Sequence, residues 1–408
     1  MEILFVLLIL LLVTKAGAEL AVRVGQPALV GELVGGVLLG FVVTLLPNSA
    51  EPLAEINSDR SFAAILDLAV FFLMLVAGLE MRPKDLVGVS GKAAPVAIAG
   101  MLVPLVLGLG LGWWWLPESD WKFAQSLFLG VALAITAVPV AVKVLMDLDS
   151  LQTETGQLII AAAVIDDILS LVLLAILTAL LSTTQELTLA SVALIGGKVV
   201  LFFGVALLIG RYGLQLLGKA ARAISVEYAE FTVILVFGIV LAVFAEWLHM
   251  HFLIGAFTAG LIFTRNVIGG DTYSKVQSQF EAVTLGFLAP IFFASIGIHL
   301  SLSAAVEIPA FVGMLLLFAF AGKLLGAGGA ALAAGMRPRQ ALAIGSAMNA
   351  RGAVEIIIAD IALRAGLFDH PDPRPAVIEY MFSAVVIMAI VTTLFSPIML
   401  RYLIPRGR

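Results

Sequence analysis

Long apolar runs separated by short polar breaks recur along the whole chain. A membrane-spanning helix needs about 20 consecutive, mostly apolar residues, and about thirteen such runs lie between charged residues, prolines and glycines. The pattern therefore predicts an all-α polytopic membrane protein of about 13 transmembrane helices with short connections. The predicted segments cover residues 2–22, 28–46, 62–80, 93–115, 124–146, 154–181, 189–210, 229–247, 252–266, 282–299, 307–334, 340–364 and 377–403.

Composition supports the same class. Of the 408 residues, 62% are hydrophobic and 12% are charged, whereas a soluble domain carries about 25% charged residues. A soluble fold could not cover so much apolar surface with so few polar groups. The net charge is −5 and no basic stripe occurs, so we expect no nucleic-acid partner. The absence of cysteine excludes disulfides, thiol catalysis and cysteine-ligated metals.

Lysine and arginine are distributed unevenly between the two sides of the predicted membrane. With the N-terminus outside, 15 of the 23 lie on the inner side, in loops, near segment ends or at the C-terminus; 4 lie on the outer side in the same way, and 4 lie in the interior of apolar segments. Because positive residues favour the inner side, we expect the N-terminus outside and the C-terminus inside. Ala16–Ala18 resembles a signal cleavage site, but the segment starts with Glu2 and no basic residue. We therefore expect an uncleaved first helix.

Two adjacent acids, Asp166 and Asp167, lie in the middle of the sixth apolar segment. Placing both in the membrane costs about 5–7 kcal/mol unless they are protonated or partnered. Successive helical residues point about 100° apart, so one acid can face a water-filled cavity while the other faces a neighbouring helix. A buried carboxylate can hold a proton or a hard alkali cation, and this competition is the basis of ion exchange. The alternative is that neighbouring helices satisfy both acids without any transport role.

A basic residue, Lys323, lies mid-way along the eleventh segment. A buried ammonium needs an anion or loses its proton, so we predict an ion pair with Asp166 or Asp167. The alternative is that the long side chain reaches a membrane interface.

The twelfth segment contains a polar patch from Met348 to Glu355, interrupted by glycine. Such a patch is typical of a broken helix that lines a cavity, and we place the break at Asn349 and Gly352. Arg351 and Glu355 are four residues apart, so they can pair along one helix face. The alternative is that this pair only supports the fold.

A matching break is predicted in the fifth segment at Pro139, which removes an amide donor and clashes with the carbonyl of Ile135. Freed carbonyls and the Thr136 hydroxyl would then line an ion path, with Ser170 as a further ligand. The alternative is a simple proline kink. Breaks at corresponding places in segments four to six and eleven to thirteen indicate inverted repeats with crossed, discontinuous helices, a pattern typical of transporters.

At these residues the sequence resembles the NapA type of bacterial Na+/H+ antiporters, in the monovalent cation:proton antiporter-2 family. The resemblance covers nearly the whole chain and rests on the Asp-Asp helix, the lysine within the membrane and several glycine-containing stretches. The matching stretches are residues 26–40, 78–80, 162–171, 255–260, 290–293, 322–323 and 351–352.

The resemblance implies an elevator transporter that forms a homodimer in the lipid bilayer of a prokaryotic cell membrane. Residues 1–90 and 227–300 would form the dimerisation part, 91–182 and 306–404 the core ion-transport part, and 189–217 a linker helix. No cofactor is implied. The transported ions would be Na+ and H+, with K+ or Li+ left open as the cation.

The resemblance also implies residue roles. Asp167 would bind the alkali cation in competition with protons, and Asp166 would pair with Lys323. In some relatives an acid directly follows the Arg-Gly pair; here Ala353 follows it, which leaves the partner of Arg351 open. Kef-type potassium efflux relatives have Gln-Asp and a nucleotide-binding domain, and we expect neither here.

Other classes fit the sequence less well. An intramembrane aspartyl protease would need its aspartates on separate helices with a Gly-x-Gly-Asp pattern, whereas here Gly269–Asp271 falls in a predicted loop. A passive cation channel would not need a buried acid–base constellation. We therefore expect a transporter and not an enzyme, with a K+/H+ antiporter of the same family as the alternative.

Overall fold

The computed structural model describes residues 2–45, 60–80, 91–136, 141, 144–145, 148, 150, 153–181, 189–213, 226–248, 250–263 and 269–404. Every regular element within these ranges is helical, which confirms the all-α prediction. The helices of the first half are α1 (Glu2–Arg23), α2 (Ala28–Leu45), α3 (Arg60–Glu80), α4 (Ala93–Trp115), α5 (Lys122–Ala134), α6 (Glu154–Leu181) and α7 (Leu189–Leu208).

The second half continues with seven long helices and the short helices Ala304–Glu307 and Ala376–Glu379 within the same described ranges. Two of the long helices contain a wider turn, at Thr284–Leu288 and Leu324–Gly328. The long helices are α8 (Ala229–Trp247), α9 (Phe252–Ile262), α10 (Gly270–His299), α11 (Pro309–Ala333), α12 (Pro338–Ala347), α13 (Ala353–Arg364) and α14 (Met381–Leu403).

Eight helices in the described part of the chain are long and apolar enough to cross a membrane: α1, α3, α4, α6, α8, α10, α11 and α14. A multi-pass membrane protein is therefore confirmed. Each predicted apolar segment contains at least one described helix. The number of crossings and the orientation in the membrane stay predictions.

Helix α10 begins well before the apolar segment that predicted it. It starts at Gly270, and its first part, Gly270–Val283, is polar but buries Tyr273, Val276 and Phe280 on one face. The Tyr273 hydroxyl donates a 2.6 Å hydrogen bond to the carbonyl of Leu79. A search for apolar runs misses such an amphipathic turn, and for the same reason it placed Asp271 in a loop.

The chain divides into two compact units. The first comprises residues 1–12, 43–83 and 178–293, and the second comprises residues 13–42, 84–177 and 294–408. The second unit therefore includes most of α2 as well as the segments predicted to carry ions. The division of roles between dimerisation, transport and linking stays a prediction.

Within the first unit, α3 and α9 approach each other too closely for larger side chains. A Cβ atom on Gly78 would lie 2.2 Å from the carbonyl oxygen of Phe257, and one on Gly260 would lie 2.2 Å from the carbonyl oxygen of Leu75. Small residues allow this close backbone packing, which is typical of helices in membranes.

Within the second unit, small and β-branched side chains fill the contact between helices. Ala93 and Ala97 of α4 pack in one buried cluster with Ala327 and Ala331 of α11, and Ile344 of α12 joins them. This packing holds α11 and α12 close to α4, α5 and α6, where the buried charges lie.

Candidate functional site

The two acids occupy the middle of α6, and their environments differ. Asp166 is fully buried, whereas Asp167 is partly exposed. Adjacent residues of a helix point about 100° apart, which explains the difference. Ser170 lies one turn after Asp166, so it shares that face of the helix; it is 4% exposed.

Lys323 of α11 lies beside Asp166 but does not hydrogen-bond to it. The Lys323 Nζ and Asp166 Oδ1 atoms are 3.9 Å apart, and both side chains have no exposure. The ammonium instead donates a 2.7 Å hydrogen bond to the hydroxyl of Thr136 and another to the carbonyl of Ala134. Within the described ranges neither oxygen of Asp166 has a hydrogen-bond partner of standard geometry. Lys323 and Asp166 therefore attract each other as opposite charges, while the hydrogen bonds of Lys323 go to other groups.

Helix α5 ends at the site, where its last backbone carbonyls have no donors within the helix. Its last internal bond runs from the Ile135 amide to the carbonyl of Val131, and a helix end leaves its final carbonyls without donors from its own turns. Ile135 has an extended backbone, with φ −70° and ψ 146°. The end of α5 lies a few residues before Pro139, the predicted breaking residue, which lies outside the described residues.

Two buried cations supply the missing donors at the end of α5. Arg351 donates through one terminal nitrogen to the carbonyls of Ala132 (2.7 Å) and Ile135, and through the other to the carbonyl of Leu133 (2.7 Å). Lys323 takes the carbonyl of Ala134. Cations at a helix C-terminus also oppose the negative end of the helix dipole. The sequence predicted freed carbonyls in this segment and charge compensation by these residues, but not that Arg351 and Lys323 donate to those carbonyls.

The second interruption lies between α12 and α13, at residues 348–352, and it meets the end of α5. The Thr136 hydroxyl, which accepts a hydrogen bond from Lys323, donates one of 2.9 Å to the carbonyl of Met348. Asn349 is 1% exposed, and its amide group has no hydrogen-bond partner among the residues described. Gly352 precedes α13 in an extended conformation. The structure thus brings Thr136 and both predicted breaking residues of the twelfth segment to one place.

Arg351 and Glu355 are also near each other. The Arg351 Nε and Glu355 Oε2 atoms are 3.6 Å apart, and both side chains are fully buried. Helix α14 holds the backbone of Arg351 through Thr393, whose hydroxyl donates to the Arg351 carbonyl (2.8 Å) and accepts from its amide (3.3 Å). Sequence reasoning did not identify Thr393, because a threonine in an apolar segment is not distinctive.

The described residues around these interruptions form one constellation of three carboxylates and two cations. Lys323 interacts electrostatically with Asp166, Asp167, Arg351 and Glu355. If all five groups are ionised, the net charge is −1, which one monovalent cation or one proton would balance. Carboxylate, hydroxyl and carbonyl oxygens are hard ligands suited to an alkali cation.

Known transport proteins are similar to this chain over almost its whole length. A family model described as "Sodium/hydrogen exchanger, transmembrane" matches residues 6–404. The chain is 30% identical over 401 residues to the Na+/H+-K+ antiporter GerN of Bacillus cereus, covering 98% of this chain and 96% of that protein. It is 28% identical over 404 residues to an Na+/H+ antiporter of Enterococcus hirae, covering 98% of each.

A solved structure shares the fold over nearly the whole chain. It is the sodium proton antiporter MjNhaP1 from Methanocaldococcus jannaschii, solved at pH 8, with a TM-score of 0.63 and 18% sequence identity. The superposition covers 98% of this chain and 96% of that one.

Proposed function

This chain belongs to the sodium/hydrogen exchanger family, and from that premise we propose that it is a secondary active antiporter that exchanges Na+ for protons. Its relatives are transporters and not enzymes. The observation that carries the proposal is the partly exposed Asp167 next to the fully buried Asp166, which lies 3.9 Å from the buried Lys323. Asp166 and Lys323 are buried away from water, so a change of protonation or of bound cation beside them strongly affects their free energy.

In the proposed cycle, Asp167 holds the transported cation. Of the two acids it is the accessible one, and a carboxylate can hold a proton or a cation at one position but not both. Thr136 and Ser170 would add hydroxyl oxygens, and Asn349 an amide oxygen. Cation binding would then displace protons, and proton loading would release the cation.

Asp166 would act through Lys323. Their charges attract at 3.9 Å, but the hydrogen bonds of Lys323 go to Thr136 and Ala134. Protonation of Asp166 would therefore remove the attraction without leaving the ammonium unsolvated. Such a weakly held pair can open and close during transport at a modest free-energy cost.

The division of the chain supports an elevator mechanism, and the homodimer is carried over from the family resemblance. The chain forms two compact units, and one unit holds both interrupted helices and all the buried site charges described above. This is the arrangement needed if one part carries the ion while another anchors the protein in the cell membrane of a prokaryote. A K+/H+ antiporter is a second candidate, because the name of the Bacillus cereus relative includes K+ as well as Na+.

Ion-driven proton movement in proteoliposomes tests the proposal. With an internal pH dye and no proton gradient at the start, an imposed Na+ gradient should move protons in the opposite direction, against the gradient that they build up. The same assay with K+ and Li+ ranks the cations. The Asp167→Asn variant should remain folded and lose exchange.

Asp360→Asn provides a matched control. This acid lies in α13 and bonds to Arg364 at 2.8 Å, outside the constellation, so exchange should persist. If Asp167→Asn retains cation-driven proton flux, the assignment of Asp167 is wrong. If cations only flow down their own gradient without moving protons, the protein is a channel.

A further inference from the structure

Glu355 is a buried carboxylate that no hydrogen bond stabilises in the described structure. It is 1% exposed, and neither oxygen has a hydrogen-bond partner among the described residues. The nearest cationic atom is Arg351 Nε at 3.6 Å. A buried ionised carboxylate normally needs both a counter-charge and hydrogen bonds. Among the described residues, Glu355 has a counter-charge but no hydrogen bond.

Arg351 makes its hydrogen bonds to groups other than Glu355. Its two terminal nitrogens donate to the carbonyls of Ala132, Leu133 and Ile135 at the negative end of α5. Arginine stays protonated in proteins, so its charge is constant, and Glu355, Asp166 and the negative end of this helix all oppose it. Loss of the negative charge on Glu355 would therefore leave the guanidinium with its hydrogen bonds intact.

The other charged groups near Glu355 are consistent with an exchangeable proton. Lys323 acts on it from α11, and its ammonium is solvated by Ala134 and Thr136. Asp166 of α6 interacts with the same two cations, Arg351 and Lys323, so the two carboxylates share their counter-charges. Glu355 itself lies in the first turn of α13, where the helix dipole favours its ionised form. The cations and the helix dipole favour the ionised form of Glu355, whereas burial without hydrogen bonds favours the protonated form, so both protonation states are accessible.

We propose that Glu355 is a second proton-binding carboxyl of the transport cycle, which releases its proton when the cation binds at the Asp166–Asp167 site. Arg351 and Lys323 couple the two positions electrostatically. The proposal rests on the proposed antiport function and adds to it the identity of a proton carrier on the second interrupted helix.

Proton release on cation binding tests the proposal directly. Purified protein in weakly buffered detergent solution, with a pH indicator, is titrated with Na+, and the protons released per bound cation are counted. In Glu355→Gln the number of protons released per cation should fall by about one relative to the wild type, because the substitution removes one titrating group that is linked to cation binding. Glu355→Asp keeps a carboxyl and should keep the count while shifting its pH midpoint by up to about one unit.

Asp360→Asn is again the matched control, since it removes a carboxyl from the same helix and should leave the count unchanged. If Glu355→Gln releases as many protons as the wild type, Glu355 only pairs with Arg351 and the inference is wrong. If Glu355→Gln does not fold, a Glu355→Asp variant with an unshifted midpoint overturns it equally. A wild type that releases no protons on adding any alkali cation contradicts the antiport proposal itself, which separates the two failures.

Discussion

The hydroxyl of Thr136 donates a 2.9 Å hydrogen bond to the carbonyl of Met348, joining two helix interruptions that lie 212 residues apart. The same hydroxyl accepts a 2.7 Å hydrogen bond from Lys323. One small side chain therefore connects the end of α5, the end of α12 and the buried ammonium of α11. Through Thr136, the contact between the two interruptions is linked to the charged side chain of Lys323.

Replacing Thr136 by valine should destabilise the protein and impair exchange. Valine keeps the shape but removes the hydroxyl, leaving the Met348 carbonyl and one Lys323 donor without this partner. Each buried polar group left unsatisfied costs about 1–3 kcal/mol, so the melting temperature in detergent should fall clearly, and Thr136→Ser should restore it.

Thr392→Val is the control for that experiment. Thr392 is equally buried, but its hydroxyl bonds to carbonyls of Met388 and Ala389 within its own helix, where backbone donors are already close. The Thr392→Val substitution should lower the melting temperature much less than Thr136→Val. Equal losses for the two valine variants would show that the bridge between the interruptions has no special importance.

Replacing Lys323 by alanine should lower stability and change the pH profile of exchange. The substitution removes the counter-charge of Asp166 and the donor for the Ala134 carbonyl. Breaking a buried ion pair by removing one partner costs about 3–5 kcal/mol, and Asp166 should then favour its protonated form. Thermal unfolding and the pH dependence of flux measure both effects.

Lys122→Ala is a suitable comparison, because Lys122 is also a buried lysine but its partner Glu118 is 88% exposed. The loss of Lys122 leaves an acid that water can solvate. Unchanged melting and pH dependence in Lys323→Ala would refute a role for its contact with Asp166.

Apparent Na+ affinity should fall as the pH is lowered. Protons and Na+ compete for the same carboxylates, so each competing proton weakens apparent cation binding by about tenfold per pH unit once the protonated form prevails. Initial rates over a range of Na+ concentrations at several pH values give this slope. An affinity that is the same at every pH would rule out competition at the Asp166–Asp167 site.

The order of helices could be predicted well from the sequence, because the requirement for about 20 apolar residues per crossing acts locally. The interruption at residues 348–352 was also predicted, since polar residues and glycine in an apolar helix are rare enough to stand out. The start of α10 at Gly270 was missed because its first turns are amphipathic and not apolar throughout. A search for apolar runs detects composition, and composition does not show which face of a helix is buried.

The partners of the buried charges were harder to predict. Lys323 was expected to pair with an aspartate, and it does lie 3.9 Å from Asp166, but its hydrogen bonds go to Thr136 and Ala134. Arg351 was paired with Glu355 by helix spacing, yet its terminal nitrogens serve three backbone carbonyls of α5. The sequence predicted freed carbonyls near Pro139, but no motif shows which distant side chain donates to them.

The sequence by itself determined that this is an all-α membrane protein and which few ionisable residues it places among apolar ones. The cost of burying a charge in lipid is so large that Asp166, Asp167, Lys323, Arg351 and Glu355 stand out without any structure. Only the tertiary structure decided how these charges are stabilised. Hydrogen bonds between helices far apart in the chain depend on packing, and that packing places two cations at the end of α5, beside Asp166 and Glu355.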